Sequence, residues 1–251
     1  MEAWLTDWRI DSLDNSGKRC LCSPAQSSER FTHFGKLFRG STRHPSYESF
    51  CRSATLSLQI NAAEIPSPIG GRLESGSPIL VYERLSAIRL DEWLTLDAAP
   101  QPIFRRVAVA TQLIAAVGKI HQAGYVHNAL TSEHILLLPD DSLRLVGWGS
   151  CEVVGEVAAS EEGLAARRPG EAKMSSGGFV RQNRHEACTS RDIESLAYVL
   201  AQLLGNAFLE SRLAEGLLCD NTEHRLTSAE LHRVLTAFQA QLHTGGWTRA
   251  A

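Results

Sequence analysis

Along residues 103–121, Ile103, Val107, Ala110, Ile114, Val117 and His121 recur at three- and four-residue steps, which predicts a helix with one inward stripe. A second stripe, Ile193, Leu196, Val199, Leu200 and Leu203, follows the capping sequence Thr189-Ser190-Arg191-Asp192 and stops at Gly205. A third, Leu231, Val234, Leu235, Phe238 and Leu242, predicts a last helix over 228–243. Earlier in the chain the period shortens. Segments 8–13 and 18–22 flank the turn sequence Asn15-Ser16-Gly17, as the arms of a hairpin do. Further strands are expected over 30–38, 78–82, 135–138 and 143–146, the last two joined by the turn Pro139-Asp140-Asp141. Helical segments are expected over 48–63 and 91–96, the latter broken by the stretch 98–102. The pattern is α+β, with strands concentrated in the first third and helices in the remainder.

Composition narrows the class of protein. The chain has 251 residues, 43% of them hydrophobic, enough for one large domain or for two small lobes that share an interface. A net charge of -3 and a pI near 6.3 supply no basic field for nucleic acid. The first residues are acidic and polar, without a leader pattern, and no apolar run is long enough to span a bilayer, so a soluble cytoplasmic protein is expected. Peripheral association with the inner membrane stays open. The cysteines at 20, 22, 51, 151, 188 and 219 form no C-x-x-C pair, which argues for reduced thiols rather than zinc or disulfides. The close pair, Cys20 and Cys22, is expected on opposite faces of a strand.

Candidate chemistry concentrates in residues 119–149, KIHQAGYVHNALTSEHILLLPDDSLRLVGWG. This stretch resembles the catalytic core of the protein-kinase-like fold, in which a loop H-R-D-x-x-x-x-N precedes a D-F-G tripeptide. His127 matches the loop histidine, whereas Ala129 stands at the proton-accepting Asp, His134 at the metal-binding Asn, and Gly147 at the metal-binding Asp. Phosphoryl transfer depends on such groups to position a hydroxyl and to hold magnesium. Alanine accepts no proton, glycine ligates nothing, and imidazole is a poor ligand for a hard cation. The passage LSLQINAAEIPSPIGGRLESGSPILVYERL is similar to the bacterial lipopolysaccharide core kinases, which also tend to carry a histidine at the position of His134.

The resemblance implies a bilobal kinase-like fold, with a β-rich N-lobe over residues 1–83 and a mainly helical C-lobe over 84–251. It places Lys36 where such folds carry a phosphate-contacting lysine, and residues 83–85, among them Glu83 and Leu85, at the hinge whose backbone holds adenine. Glu48 is the available partner for Lys36, although Arg52 and Ser53 occupy the more central helix positions. The G-x-G-x-x-G cradle is reduced to Gly17. In the helical half, Asp192 matches the aspartate that holds the catalytic-loop backbone, and Glu186 and Arg225 match an ion pair that closes the activation segment. His127, Glu186, Asp192 and Arg225 are therefore expected as structural residues. His121 and His127 lie six apart, but structural roles are favoured over a metal pair, because no further ligand is spaced to join them.

A pseudokinase is the resulting expectation, acting as a binding or regulatory scaffold for a protein partner. No cofactor is assigned, and ATP without magnesium is the one ligand that the hinge leaves open. Two other readings stand beside it: an atypical phosphotransferase acting on a sugar or lipopolysaccharide core, with acid groups from Glu133, Asp140 or Asp141, and a metal-independent nucleotide sensor. The surfaces expected to replace catalysis are the cleft around His127, His134 and Trp148, and the polar stretch 150–187. Trp148 is expected in the core before it is expected as an anchor. Ser160, Ser175 and Ser176 are read as solvated loop before they are read as phosphorylation sites.

Overall fold

A computed structural model describes residues 7–41, 43, 45–60, 62–72, 78–96, 101–154 and 189–205, together with residues 230 and 233. The chain is mixed α and β. Strands β1 (Trp8–Leu13), β2 (Arg19–Pro24), β3 (His33–Leu37), β4 (Gly70–Arg72) and β5 (Ile79–Glu83) form one antiparallel sheet in the order β1-β2-β3-β5-β4. Helix α1 (Pro45–Gln59) lies between β3 and β4 in sequence. Strand β6 (Ile88–Arg89), helix α2 (Leu90–Thr95) and helix α3 (Ile103–Gln122) follow, then β7 (Tyr125–Val126), β8 (Ile135–Leu137), β9 (Leu143–Leu145), β10 (Glu152–Val153) and α4 (Thr189–Leu204). A three-stranded sheet runs β6-β8-β9, and β10 pairs with β7. Among the described residues no helix is long and apolar enough to cross a membrane.

The hairpin forms where the turn sequence places it. Gly17 adopts φ 64°, which costs it little, and the Asp14 carboxylate closes the turn by accepting Ser16 Oγ at 2.8 Å, Lys18 N at 3.2 Å and Arg19 Nε at 2.8 Å. A register shift between Ile10 and Ser12 leaves Asp11 unpaired in the ladder. Its carboxylate instead takes the Ser23 hydroxyl, Phe31 N at 2.7 Å and the guanidinium groups of Arg9 and Arg30, and these hydrogen bonds, Ser23 foremost, hold it well below the usual carboxylate range.

The two faces of the main sheet differ. One carries Cys20, Cys22, Leu37, Ile79 and Val81 as a buried cluster, with Trp8 at its edge. Cys20 and Cys22 thus share a face, contrary to expectation, because the pleat repeats every two residues and puts i and i+2 together. Gly35 makes this packing fit: a Cβ there would stand 2.4 Å from the Cys20 sulfur. The opposite face packs Phe38 and Leu80 against Phe50 and Ala54 of α1.

The larger core gathers around α3. Val107 is fully buried, and Ala110, Leu113, Ile114, Val117 and Ile120 share one buried cluster with Ile135, Leu137, Leu143 and Leu145 and with Ile193, Leu196 and Leu200. The period identified the helix but overstated its ends: Ile103 is 41% exposed, and His121 faces a carboxylate rather than the core. At the start of α3, Arg105 binds Asp141 through two bonds, 2.8 Å to Oδ2 and 2.6 Å to Oδ1, which fastens the β8–β9 turn to the helix. Glu186 and Arg225, the segment 155–188 and nearly all of the expected helix over 228–243 lie outside the described residues.

Candidate functional site

The loop between β7 and β8 is held from beneath by one carboxylate. Asp192, near the start of α4 and fully buried, accepts His127 N at 2.7 Å, Asn128 N at 2.8 Å and His121 Nε2 at 3.0 Å. Burial alone would raise its pKa, but the His121 hydrogen bond, the nearby His127 and the backbone donor together hold it below the usual value. The structure therefore brings Asp192 and His127 together in the expected manner. It also gives His121 a partner other than a metal. Among the described residues no group of three or more His, Cys, Asp or Glu could hold a metal ion.

His127 is itself fully buried. Its Nε2–H donates to Val146 O at 2.9 Å, so Nδ1 carries the lone pair that faces Ala129 N at 3.4 Å. Burial is the main cause that pushes its pKa below 6.5, and the imidazole is held neutral. The sign of the pH effect follows. Below pH 6.5 the unfolded chain takes up a proton that folded His127 resists, so stability is full above that value and is lost as the pH falls. Chemical denaturation from roughly pH 7.5 to pH 5 should show this slope, bounded by about 1.4 kcal/mol per pH unit for one proton. A folded His127→Gln variant should flatten it, and an unchanged slope in that variant would assign the effect to another group. The contribution of Asp192 falls in a separate window, because its depressed pKa loses stability only as the pH drops below 3.8.

His134 ends the 3-10 turn Ser132–His134. Its Nδ1–H donates to Ala129 O at 2.6 Å, and the ring stands against Gly147. A Cβ at Gly147 would stand 2.5 Å from His134 Cδ2 and 2.8 Å from Nε2, and Gly147 has φ 90°. The imidazole therefore occupies the space that any side chain at position 147 would need. Ala129 and Gly147 meet through His134, and the three form a packing unit with no oxygen ligand among their side chains.

Trp148 begins the next turn, Trp148–Ser150, and is only 6% exposed, its Nε1–H bound to Leu145 O at 3.1 Å and its ring 4.8 Å from that of His127. The core assignment of Trp148 holds. The expectation that His127 and Trp148 form a surface does not, because both side chains are buried. Asn128, with φ 60°, turns its amide away and donates to Ser150 O at 3.1 Å and Glu152 Oε2 at 2.8 Å. Glu152 had no signal in the sequence, since it arrives through the two-residue pairing of β10 with β7.

Lys36 lies on the sheet face that meets α1. Its Nζ stands 5.8 Å from the Phe50 ring centroid, and among the described residues no carboxylate pairs with it. Glu48 points outward, its side chain 73% exposed, and binds Arg52 at 3.0 Å. Phe50 thus takes the inner position that was sought for a glutamate, packed with Ala54 against Phe38 and Leu80. Burial lowers the pKa of Lys36. Phe34, on the same face two residues earlier, lies 6.4 Å from the Tyr82 ring, and burial pushes the Tyr82 hydroxyl up to about 12. Glu83 closes β5 as an exposed residue and Leu85 is half-buried in the link beyond it. Ser49 of α1 donates its hydroxyl to Gly149 O, joining the helix to the turn after Gly147. Asp140 caps Ser142 N at 2.9 Å, and Asp141 is bound to Arg105, so both serve the turn rather than the loop.

No family model matches the chain. Among curated proteins, the Serine/threonine-protein kinase PknL of Mycobacterium tuberculosis is 29% identical over 87 residues, 35% of this chain, and PknL of Mycobacterium bovis aligns equally well. The chain spans 22% of the length of these relatives. The similarity is a distant one to part of a protein kinase.

Proposed function

We propose that this chain is a kinase-like protein that does not carry out magnesium-dependent phosphoryl transfer and that acts as a binding or regulatory scaffold. The bilobal arrangement, with residues 1–83 as N-lobe and 84–251 as C-lobe, is part of this reading, as are the structural roles of His127, Glu186, Asp192 and Arg225. The observation that carries it is the seating of the His134 imidazole on Gly147, beside Ala129. An apolar methyl and a glycine offer no carboxylate to accept a proton, and the imidazole, whose Nδ1–H is committed to a carbonyl, leaves one ring nitrogen and no oxygen ligand for magnesium. Nucleotide bound through the backbone near Glu83 and Leu85, with Lys36 beside it, is compatible with this reading, because backbone groups do not depend on the lost side chains.

Purified protein should consume no ATP above background with magnesium present, since removing a single group of a catalytic set costs orders of magnitude in rate. ATP should also shift its melting temperature equally with and without magnesium. Robust phosphate transfer to an acceptor, abolished by Lys36→Ala, would replace the scaffold reading with an atypical phosphotransferase. Of the acids that such an enzyme would recruit, Glu133, Asp140 and Asp141, the two aspartates are already committed to the turn and to Arg105.

A further inference from the structure

The thiols of Cys20 and Cys22 take no part in the site around His134. They flank Leu21 on β2, so they stand on one face of the main sheet, the face opposite α1. Both are buried. Their sulfurs also converge: a Cβ built on Gly35, the register partner of Cys20, would lie 2.4 Å from Cys20 Sγ and 3.3 Å from Cys22 Sγ. Glycine on β3 thus leaves room for two sulfurs side by side. The Cys22 thiol donates to the Cys20 sulfur, which holds the Cys20 pKa below its ordinary value and raises that of Cys22.

The surroundings of the sulfurs limit what they can hold. Leu37, Ile79 and Val81 complete the cluster and offer no ligand. His33, the register partner of Cys22, has Nδ1 on the Thr32 hydroxyl at 2.7 Å and its ring 5.0 Å from that of Trp8. Among the described residues no third His, Cys, Asp or Glu joins the pair as a metal group. Structural zinc takes four ligands, and hard cations require oxygen, so two thiols serve neither. Two thiolates in an apolar setting suit a soft monovalent cation.

We infer that Cys20 and Cys22 bind one copper(I) ion between their sulfurs. Two S–H bonds give way to two S–Cu bonds, both protons pass to solvent, and no atom changes oxidation state. The loaded pair carries one negative charge. Arg39 favours that charge, whereas Asp11 and Asp14 oppose it. Trp8, partly exposed on the edge strand β1, packs on the cluster, and local opening of that edge admits the ion. This inference goes beyond the scaffold reading and does not rest on it, since the thiols lie on the sheet face turned away from α1.

The test is an anaerobic titration of the reduced full chain against the copper(I) complex of bathocuproine disulfonate, in which withdrawal of copper is read as loss of the chelator's colour. Cys20→Ala and Cys22→Ala should each withdraw one equivalent less than the parent. Cys51→Ser, at a thiol that is only half-buried, should withdraw as much as the parent. X-ray absorption of the parent loaded with one equivalent should show two sulfur neighbours at copper and no nitrogen or oxygen, a reading that does not depend on whether either alanine variant folds. Zinc(II), titrated against a zinc-binding dye, should not be taken up by the pair. Withdrawal by folded Cys20→Ala and Cys22→Ala chains equal to that of the parent, a loss that Cys51→Ser reproduces, or a nitrogen or oxygen neighbour at copper would overturn the proposal. Zinc uptake that disappears in Cys20→Ala would overturn the assignment to a two-coordinate cation.

Discussion

Gly147→Ala is expected to destabilise the protein by about 3 kcal/mol, from a methyl forced into an occupied space and a residue held at positive φ. The obstacle is specific: the added Cβ meets the His134 ring at 2.5 Å, and His134 is anchored through Nδ1 to Ala129 O. Gly147→Asp should be at least as costly, and should not create a magnesium site on its own. Pairing it with His134→Asn should recover part of the loss, because the smaller amide vacates the ring's place. A double-mutant cycle measured by denaturant melts would read this as a favourable coupling of about 1–2 kcal/mol. Strict additivity of the two substitutions would show that His134 and Gly147 do not share that space.

Asp192→Ala is expected to have the largest effect of any single side chain outside the apolar core. It would leave His127 N and Asn128 N without an acceptor inside the fold and remove the partner of His121. Deleting one member of a buried, hydrogen-bonded charge cluster typically costs about 3–5 kcal/mol. Asp192→Asn should cost less, because one carbonyl oxygen survives to accept one of the two backbone amides. Thermal melts of the three proteins should rank parent, Asn and Ala in that order. An Ala variant as stable as the parent would mean that the loop is held by other contacts.

The parts of this fold that could be read from sequence are those whose information is local. The 103–121 period and the Asn15-Ser16-Gly17 turn each specify an element from within a single stretch, and both elements formed close to the expected bounds. Strands β6, β7 and β10 are two residues long and β4 three, too short to show any period, and they exist because a partner strand is presented to them. The site divides in the same way. The resemblance to a motif grouped Ala129, His134 and Gly147, and the β8–β9 hairpin between His134 and Gly147 is what returns the chain from one to the other. What the spacing could not convey was that the substitutions fit one another sterically, with glycine at one position making room for an imidazole at the other. The partner of Lys36 was also out of reach, because which face of α1 turns inward depends on Phe38 and Leu80 in strands far away in the chain.

Helix α1 belongs to two cores at once. Its first turns contribute Phe50 and Ala54 to the cluster with Phe38 and Leu80, whereas Leu56 near its end, with Ile60 and Ile65 just beyond, joins the cluster built around α3. The polypeptide after it is fastened to the same side, with Leu145 N bonded to Glu64 O at 2.7 Å and Lys119 Nζ to the Glu64 carboxylate. Neither cluster can therefore release the helix without depriving the other of buried surface. In thermodynamic terms α1 is a shared cooperative unit: the free energy of opening one cluster includes the cost of loosening its neighbour, so sheet and helical part lose order together even though each has apolar packing of its own.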